Sequence, residues 1–265
     1  MLSGITSMLN GLTRDPGGTI ITIVYLLVCI LFSLILHECA HGYVALKCGD
    51  PTAKWLGRLT LDPTKHIDPL GMICMIFLRI GWAKPVPINP RNFRHYRRDY
   101  ILVSLAGITV NLIMCVLSLI ISAILAKVIW KPELVSYLAE NGDKDLLINI
   151  YQGVAANNVY AGQFSELSAY AQTPWLMYVQ RFFLMLAQMN LGLAVFNLIP
   201  VPPLDGYRFL DQFVFKGMLS LNPQTMQIVH VVFLVLCLSG MLSGLLTTVN
   251  SAIMGVLTSA VSIII

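Results

Sequence analysis

Charge is what this sequence has least of. Of its 265 residues, 13 are acidic and 17 basic, so charged side chains make up 11% of the chain against 57% hydrophobic. A soluble globular domain carries about 25% charged residues, and a mean hydropathy of +0.75 excludes that class. Paired cysteines are also missing. The six cysteines show no CxxC spacing, so nothing points to a disulfide framework or a cysteine-based metal site. Cys29, Cys39, Cys74, Cys115 and Cys237 sit in apolar runs, where a buried thiol behaves as a small hydrophobe. No cleavable leader is expected, because residues 1–18 are polar with Gly and Pro and read as a short amphipathic or flexible lead-in. The apolar run that follows lacks a small-residue cleavage site.

What the chain has instead is apolar runs spread from end to end with short polar gaps. They predict an α-helical polytopic membrane protein with about five to six membrane segments, organised as one membrane-embedded domain over residues 1–265. The first span, 19–48, carries His37-Glu38-Cys39-Ala40-His41 with no Gly or Pro before Gly42. Positions i and i+4 lie on one helical face, so both imidazoles can converge on one ion. Glu38 is rotated by roughly 100° from His37, beside the metal, where it can take a proton from an activated water without being a ligand. An ionisable side chain costs about 2.5–3.5 kcal/mol near the centre of a bilayer. Metal coordination offsets that cost for two neutral histidines, and proton exchange with water gives Glu38 a role. Cys39 points away from the His face.

Residues 50–99 mix Pro, Gly and charge with apolar patches too short to span. TAKWLGRLTLDP alternates like a strand, and IDPLGMICMIFLRIGW is broken by Gly71 and Arg79, so the segment reads as strands plus a re-entrant piece. An exposed strand edge near a metal site can bind an extended substrate; a tight connector is the competing reading. Ten basic residues from Lys47 to Arg98 face four acidic ones, Asp50, Asp62, Asp68 and Asp99. This bias orients the basic segment 47–99, and with it the HExxH end of the first span, toward the cytoplasm. The loop RNFRHYRR is better explained by orientation and anionic headgroups than by nucleic acid, and no nucleic-acid partner is expected. His95 in that loop reads as solvated, and His66, in KHIDPLG, as an organiser of the re-entrant turn.

The second span, 100–130, contains Gly107-Ile108-Thr109-Val110-Asn111. Gly107 permits close helix approach, and Asn111 is either an interhelical hydrogen-bonding residue or a group aimed at the metal site to polarise a substrate carbonyl. Residues 131–173 form an acidic polar excursion on the opposite face, a candidate lid. The segment 174–215 begins with Trp175, Tyr178 and Arg181 as interfacial anchors and ends in Asn197-Leu198-Ile199-Pro200-Val201-Pro202-Pro203-Leu204-Asp205-Gly206. Its prolines break the helix and Gly206 allows a sharp turn, leaving Asp205 near the basic side. Asp205 reads as the third metal ligand, in competition with an N-cap role for Tyr207–Lys216. Over residues 224–265, Gln224 to about Thr247 can span and Val249–Ile265 is a shorter piece. The isolated His230 reads as structural.

HECAHG, GWAKPVPINPRNFR, GITVN and NLIPVPPLDG, in this order over most of residues 20–215, resemble the site-2 protease family of intramembrane zinc metalloproteases, peptidase family M50, and in particular its short bacterial members without PDZ or CBS domains. The resemblance implies one zinc ion per chain held by His37, His41 and Asp205, Glu38 as general acid/base, and Asn111 in the active-site cavity. It also implies a multi-pass protein of the bacterial cell membrane, with the lipid bilayer and a transmembrane protein or peptide substrate as partners. The wider family often has Asn-Pro-Asp-Gly at the third ligand, where this chain has Pro203-Leu204-Asp205-Gly206. A catalytically silent zinc-binding protein or metal carrier is the alternative. A carrier needs a path of ligands across the membrane, and this sequence offers one cluster.

Overall fold

The computed structural model describes residues 10, 12–13, 16–68, 71, 83–141, 169–219 and 222–264. The expected lead-in, most of the expected re-entrant piece and most of the acidic excursion lie outside these. The described elements are α1 (Pro16–Cys48), α2 (Thr52–Trp55), α3 (Pro63–His66), a 3-10 turn (Pro90–Asn92), α4 (Tyr96–Ile129), α5 (Pro132–Glu140), α6 (Leu176–Asn197), α7 (Asp205–Phe213), α8 (Pro223–Ser239) and α9 (Met241–Ile264). Among the described residues, four helical stretches are long and apolar enough to cross a membrane: α1, α4, α6 and, within α9, Met241–Ala260. The shorter apolar stretch Gln224–Cys237 lies within α8.

Helices α1, α4 and α6 pack on one another as the centre of the fold, with α7 laid against α4. Their contact faces use small residues, as helices do where close approach replaces a hydrophobic driving force. Cys115, Leu119 and Ala123 of α4 meet Leu184, Ala187 and Leu191 of α6. Toward the end of α1, Ala45 and Cys48 pack with Phe93 and Val103. Gly49, at φ +112°, ends α1, and Asp50 then ties the chain down. Its buried carboxylate accepts from the Asn89 N–H at 2.7 Å, from Asn92 Nδ2 at 2.8 Å and from the Thr52 N–H at 3.1 Å.

Two expectations are corrected. TAKWLGRLTLDP is not a strand, and no strand occurs among the described residues, whose one β contact is the isolated bridge Trp130–Ala171. Two Asp-Pro-Thr triplets override the alternation. Asp50 precedes the turn α2, and Asp62 caps α3 by accepting from the Thr64 N–H at 3.0 Å. Gly57, at φ +63°, reverses the chain between them. The expected long-then-short order after residue 224 is also inverted. Gly240 takes a left-handed C-cap at φ +79°, which ends α8 early and makes α9 the longer helix.

Candidate metal centre

One turn of α1 separates His37 from His41, and their rings stand nearly perpendicular with centroids 4.7 Å apart. Their Nε2 atoms approach to 3.1 Å. Asp205 Oδ2 completes a triangle, 3.2 Å from His37 Nε2 and 3.1 Å from His41 Nε2. All three residues are buried.

Asp205 reaches this point because α7 begins there. Leu204, extended at φ −69° and ψ 158°, is the N-cap residue, so the Asp205 side chain does not serve as the cap. Gly206 is helical and its role is space, not the sharp turn its type suggested: a Cβ on it would lie 2.2 Å from the Leu198 carbonyl oxygen. That close approach presses the first turn of α7 onto the Leu198–Ile199 backbone. At the other end of α7, Arg97 of α4 donates from Nε to the Gln212 carbonyl at 2.8 Å and from Nη2 to the Phe213 carbonyl at 3.0 Å. A guanidinium there satisfies carbonyls that have no helical partner.

A single stripe of α4, at intervals of four residues, backs both rings. The Val103 carbonyl lies 2.7 Å from His41 Nδ1. Gly107 faces the His37 ring so closely that a Cβ would lie 2.4 Å from Cε1, and the Asn111 amide lies 3.2 Å from His37 Nδ1. A carbonyl only accepts, so His41 Nδ1 carries a proton. In the neutral ring this leaves Nε2 as a lone pair, aimed at a second imidazole nitrogen and a carboxylate oxygen. With His37 Nε2 likewise unprotonated, the three atoms would present two lone pairs and a carboxylate oxygen to one point, an arrangement suited to a cation. Bonds of about 2.0–2.2 Å in tetrahedral geometry separate zinc donors by roughly 3.3–3.6 Å, a little more than the 3.1–3.2 Å between these atoms, so this donor set fits zinc. Among the described residues, this is the group of His, Cys, Asp or Glu side chains able to hold a metal ion.

The sequence model of peptidase family M50 matches residues 25–240. The chain belongs to peptidase family M50. Over 212 residues, 80% of this M50 chain and 79% of the relative, it is 34% identical to YwhC of Bacillus subtilis (strain 168), named as a zinc metalloprotease. Over 223 residues, 79% of this chain and 67% of the relative, it is 28% identical to Rip2 of Mycobacterium tuberculosis, which carries the same description. No solved structure matches it. This M50 chain is a zinc metalloprotease of the site-2 type with membrane-spanning helices.

Other residues singled out in the sequence fall elsewhere. Cys39 Sγ lies 3.1 Å from the Thr60 carbonyl, and buried His66 contacts the same carbonyl through Nε2 at 2.8 Å. His230 lies exposed on α8 and His95 exposed before α4. Glu38 is adjacent to the cluster in the chain, and its Oε2 accepts from the Val86 N–H at 2.7 Å. That contact was missed in the sequence. A signal for it exists, since between Pro85 and Pro87 only Val86 has an N–H to donate.

Proposed function

We propose that this M50 protease hydrolyses peptide bonds within or near transmembrane segments of membrane protein substrates, with His37, His41 and Asp205 as zinc ligands and Glu38 as general acid/base. The observation that carries this reading is the convergence of two imidazole nitrogens and one carboxylate oxygen, buried between helices long enough to cross a bilayer. Two neutral imidazoles and a single carboxylate leave a coordination position open, the pattern of catalytic rather than structural zinc sites.

Zinc bound there supplies a Lewis acid that polarises a peptide carbonyl and acidifies water toward neutral pH. Glu38 takes one proton from the attacking water as its oxygen bonds to the carbonyl carbon. It then returns a proton to the leaving amine nitrogen as the C–N bond breaks. The Val86 N–H occupies one oxygen of Glu38 and fixes the plane of the carboxylate, leaving Oε1 for this proton traffic. A substrate helix must unwind first, because an intact helix keeps its carbonyls in internal hydrogen bonds. The irregular, proline-interrupted run 83–89, which meets Glu38 at Val86, is the stretch along which an unwound chain would lie. Residues 1–265 act as one membrane-embedded domain of the bacterial cell membrane, with the basic segment 47–99 toward the cytoplasm.

The test is cleavage of a model transmembrane peptide, with zinc content, for purified wild type, Glu38→Gln and Asp205→Ala in detergent. Wild type is expected to cleave. Glu38→Gln should keep zinc and lose at least roughly 10²–10⁴ in rate, and Asp205→Ala should lose both zinc and activity. Cleavage by Glu38→Gln at the wild-type rate would end the general-base assignment.

A further inference from the structure

His41 and His37 are held by different kinds of group. The Val103 backbone carbonyl can only accept, so it fixes the His41 tautomer by itself. His37 Nδ1 faces a side-chain amide, that of Asn111, with Nδ2 toward the ring at 3.2 Å and Oδ1 buried with no donor. In that orientation the amide donates to Nδ1, and a neutral ring then carries its proton on Nε2. A protonated Nε2 cannot ligate. If His37 and His41 ligate the same ion, His37 Nδ1 must carry the proton, and an N–H then faces the N–H2 of Asn111, donor against donor.

The two ends of an amide are nearly the same size, so the Asn111 amide can turn over in place. Turning the Asn111 amide end for end brings an acceptor that lacks a donor to a donor that lacks an acceptor. We propose that Asn111 is a positioning residue for His37: its Oδ1 accepts the Nδ1–H, which leaves Nε2 unprotonated toward His41 and Asp205, in a slot that Gly107 keeps clear. The inference rests on the ligand reading of His37. It replaces the expectation that Asn111 polarises the substrate, because Asn111 is 0% exposed and lies behind the ring. It also gives the Gly-x-x-x-Asn spacing on α4 a single purpose, since residues four apart share one helical face. Gly107 admits the ring and Asn111 orients it. An imidazole ligand whose second nitrogen is so tied is a better base and cannot rotate away from the ion.

The readout is equilibrium zinc affinity, by competition with a chelator, for the purified full chain in detergent. Asn111→Asp keeps an acceptor and removes both donors, whereas Asn111→Leu removes the acceptor at similar size. Asn111→Leu should weaken zinc binding roughly 10–100-fold, and Asn111→Asp should stay within a few-fold of wild type. Equal weakening by both, or wild-type affinity in Asn111→Leu, would overturn the proposal. Should Asn111→Leu fail to fold, the nitrogen-15 spectrum of histidine in the zinc-loaded wild type decides alone: His37 Nδ1 protonated supports the proposal, and Nδ1 unprotonated rejects it. His37→Ala separates this from the reading beneath it. Zinc bound at wild-type affinity without His37 defeats the ligand assignment itself, while loss of zinc there with an unaffected Asn111→Leu defeats only the role of Asn111.

Discussion

Helices α1, α4 and α6 bury polar side chains against one another, whereas α8 and α9 expose apolar ones along most of their length. Ser33, Asn111, Ser118, Ser122, Gln180 and Asn190 are all 1% exposed or less, and Gln180 Nε2 donates across from α6 to the Ser122 carbonyl of α4. In α8 and α9, by contrast, Ile228, Val231, Leu245 and Val256 are each more than 60% exposed. Phe233 turns inward against Phe196 of α6, and Met254 and Leu257 of α9 pack partly buried on the α4–α6 core. Lipid tails satisfy an apolar face as well as protein does, but they offer a polar group nothing. The buried polar residues of α1, α4 and α6 therefore mark where helix meets helix, and one of them, Asn111, touches the candidate metal centre.

Glycine substitutions test that contrast most severely. A methyl group at Gly206 meets the Leu198 carbonyl oxygen, and the Leu198 and Ile199 backbone cannot yield as a side-chain tip would. Gly206→Ala should lift α7 and carry Asp205 away from the histidines. We expect loss of zinc and of all protease activity, checked by metal content and peptide cleavage. Gly107→Ala meets the His37 ring instead. The ring can swing, so zinc affinity should fall by roughly 10–100-fold while helicity by circular dichroism stays at the wild-type value. If Gly107→Ala bound zinc normally, the ring would not be held by the α4 stripe.

The convergence of His37, His41 and Asp205 was legible in the sequence because it depends on side-chain type. His37 and His41 follow from i, i+4 spacing, and Asp205 follows from a carboxylate placed after a proline break. The backbone groups that touch those side chains were harder to read: nothing in the sequence marks the Val103 carbonyl, since every residue type offers one, and the Val86 N–H is marked only by the prolines on either side of it. Gly206 was read as a turn and proved to be a close approach, since a sequence shows the missing Cβ but not the neighbour. The helical class and the long spans could be read from apolar length alone. The strand expected at TAKWLGRLTLDP could not survive two Asp-Pro-Thr turns, whose local hydrogen bonds form without partners elsewhere. The break at Gly240 was hidden for a different reason. A glycine inside an apolar run is as compatible with a continuous helix as with a C-cap.

Asp50 gives a milder test, at the edge of the polar core. Burial raises its carboxyl pKa, but hydrogen bonds from Thr52, Asn89 and Asn92 outweigh burial and lower it from the ordinary 3.8. A depressed carboxyl stabilises the fold above its unfolded-state value and loses that contribution as pH falls through the lower folded-state value. Asp50→Asn should therefore cost about 1.5–3 kcal/mol at pH 7. The gap between wild type and variant should be flat down to about pH 5 and close below about pH 4. Thermal or denaturant unfolding in detergent at several pH values checks this, and a gap that widened on acidification would reverse the assignment.

The smallest effect is expected where the contrast with the polar core is greatest. Gly244 and Gly255 lie on α9, and a Cβ on either meets nothing within 4 Å. Gly244→Ala and Gly255→Ala should leave zinc affinity and peptide cleavage at wild-type values and shift stability by no more than about 1 kcal/mol, in the stabilising direction that alanine has over glycine in a helix. The same chemical change, one methyl group, thus spans the full range from loss of the metal at Gly206 to near silence on α9. A strong loss of activity in either α9 variant would mean that this helix face is covered in the membrane by something other than lipid. The division between a polar, helix-packed core and an apolar, lipid-facing pair would then have to be redrawn around that contact.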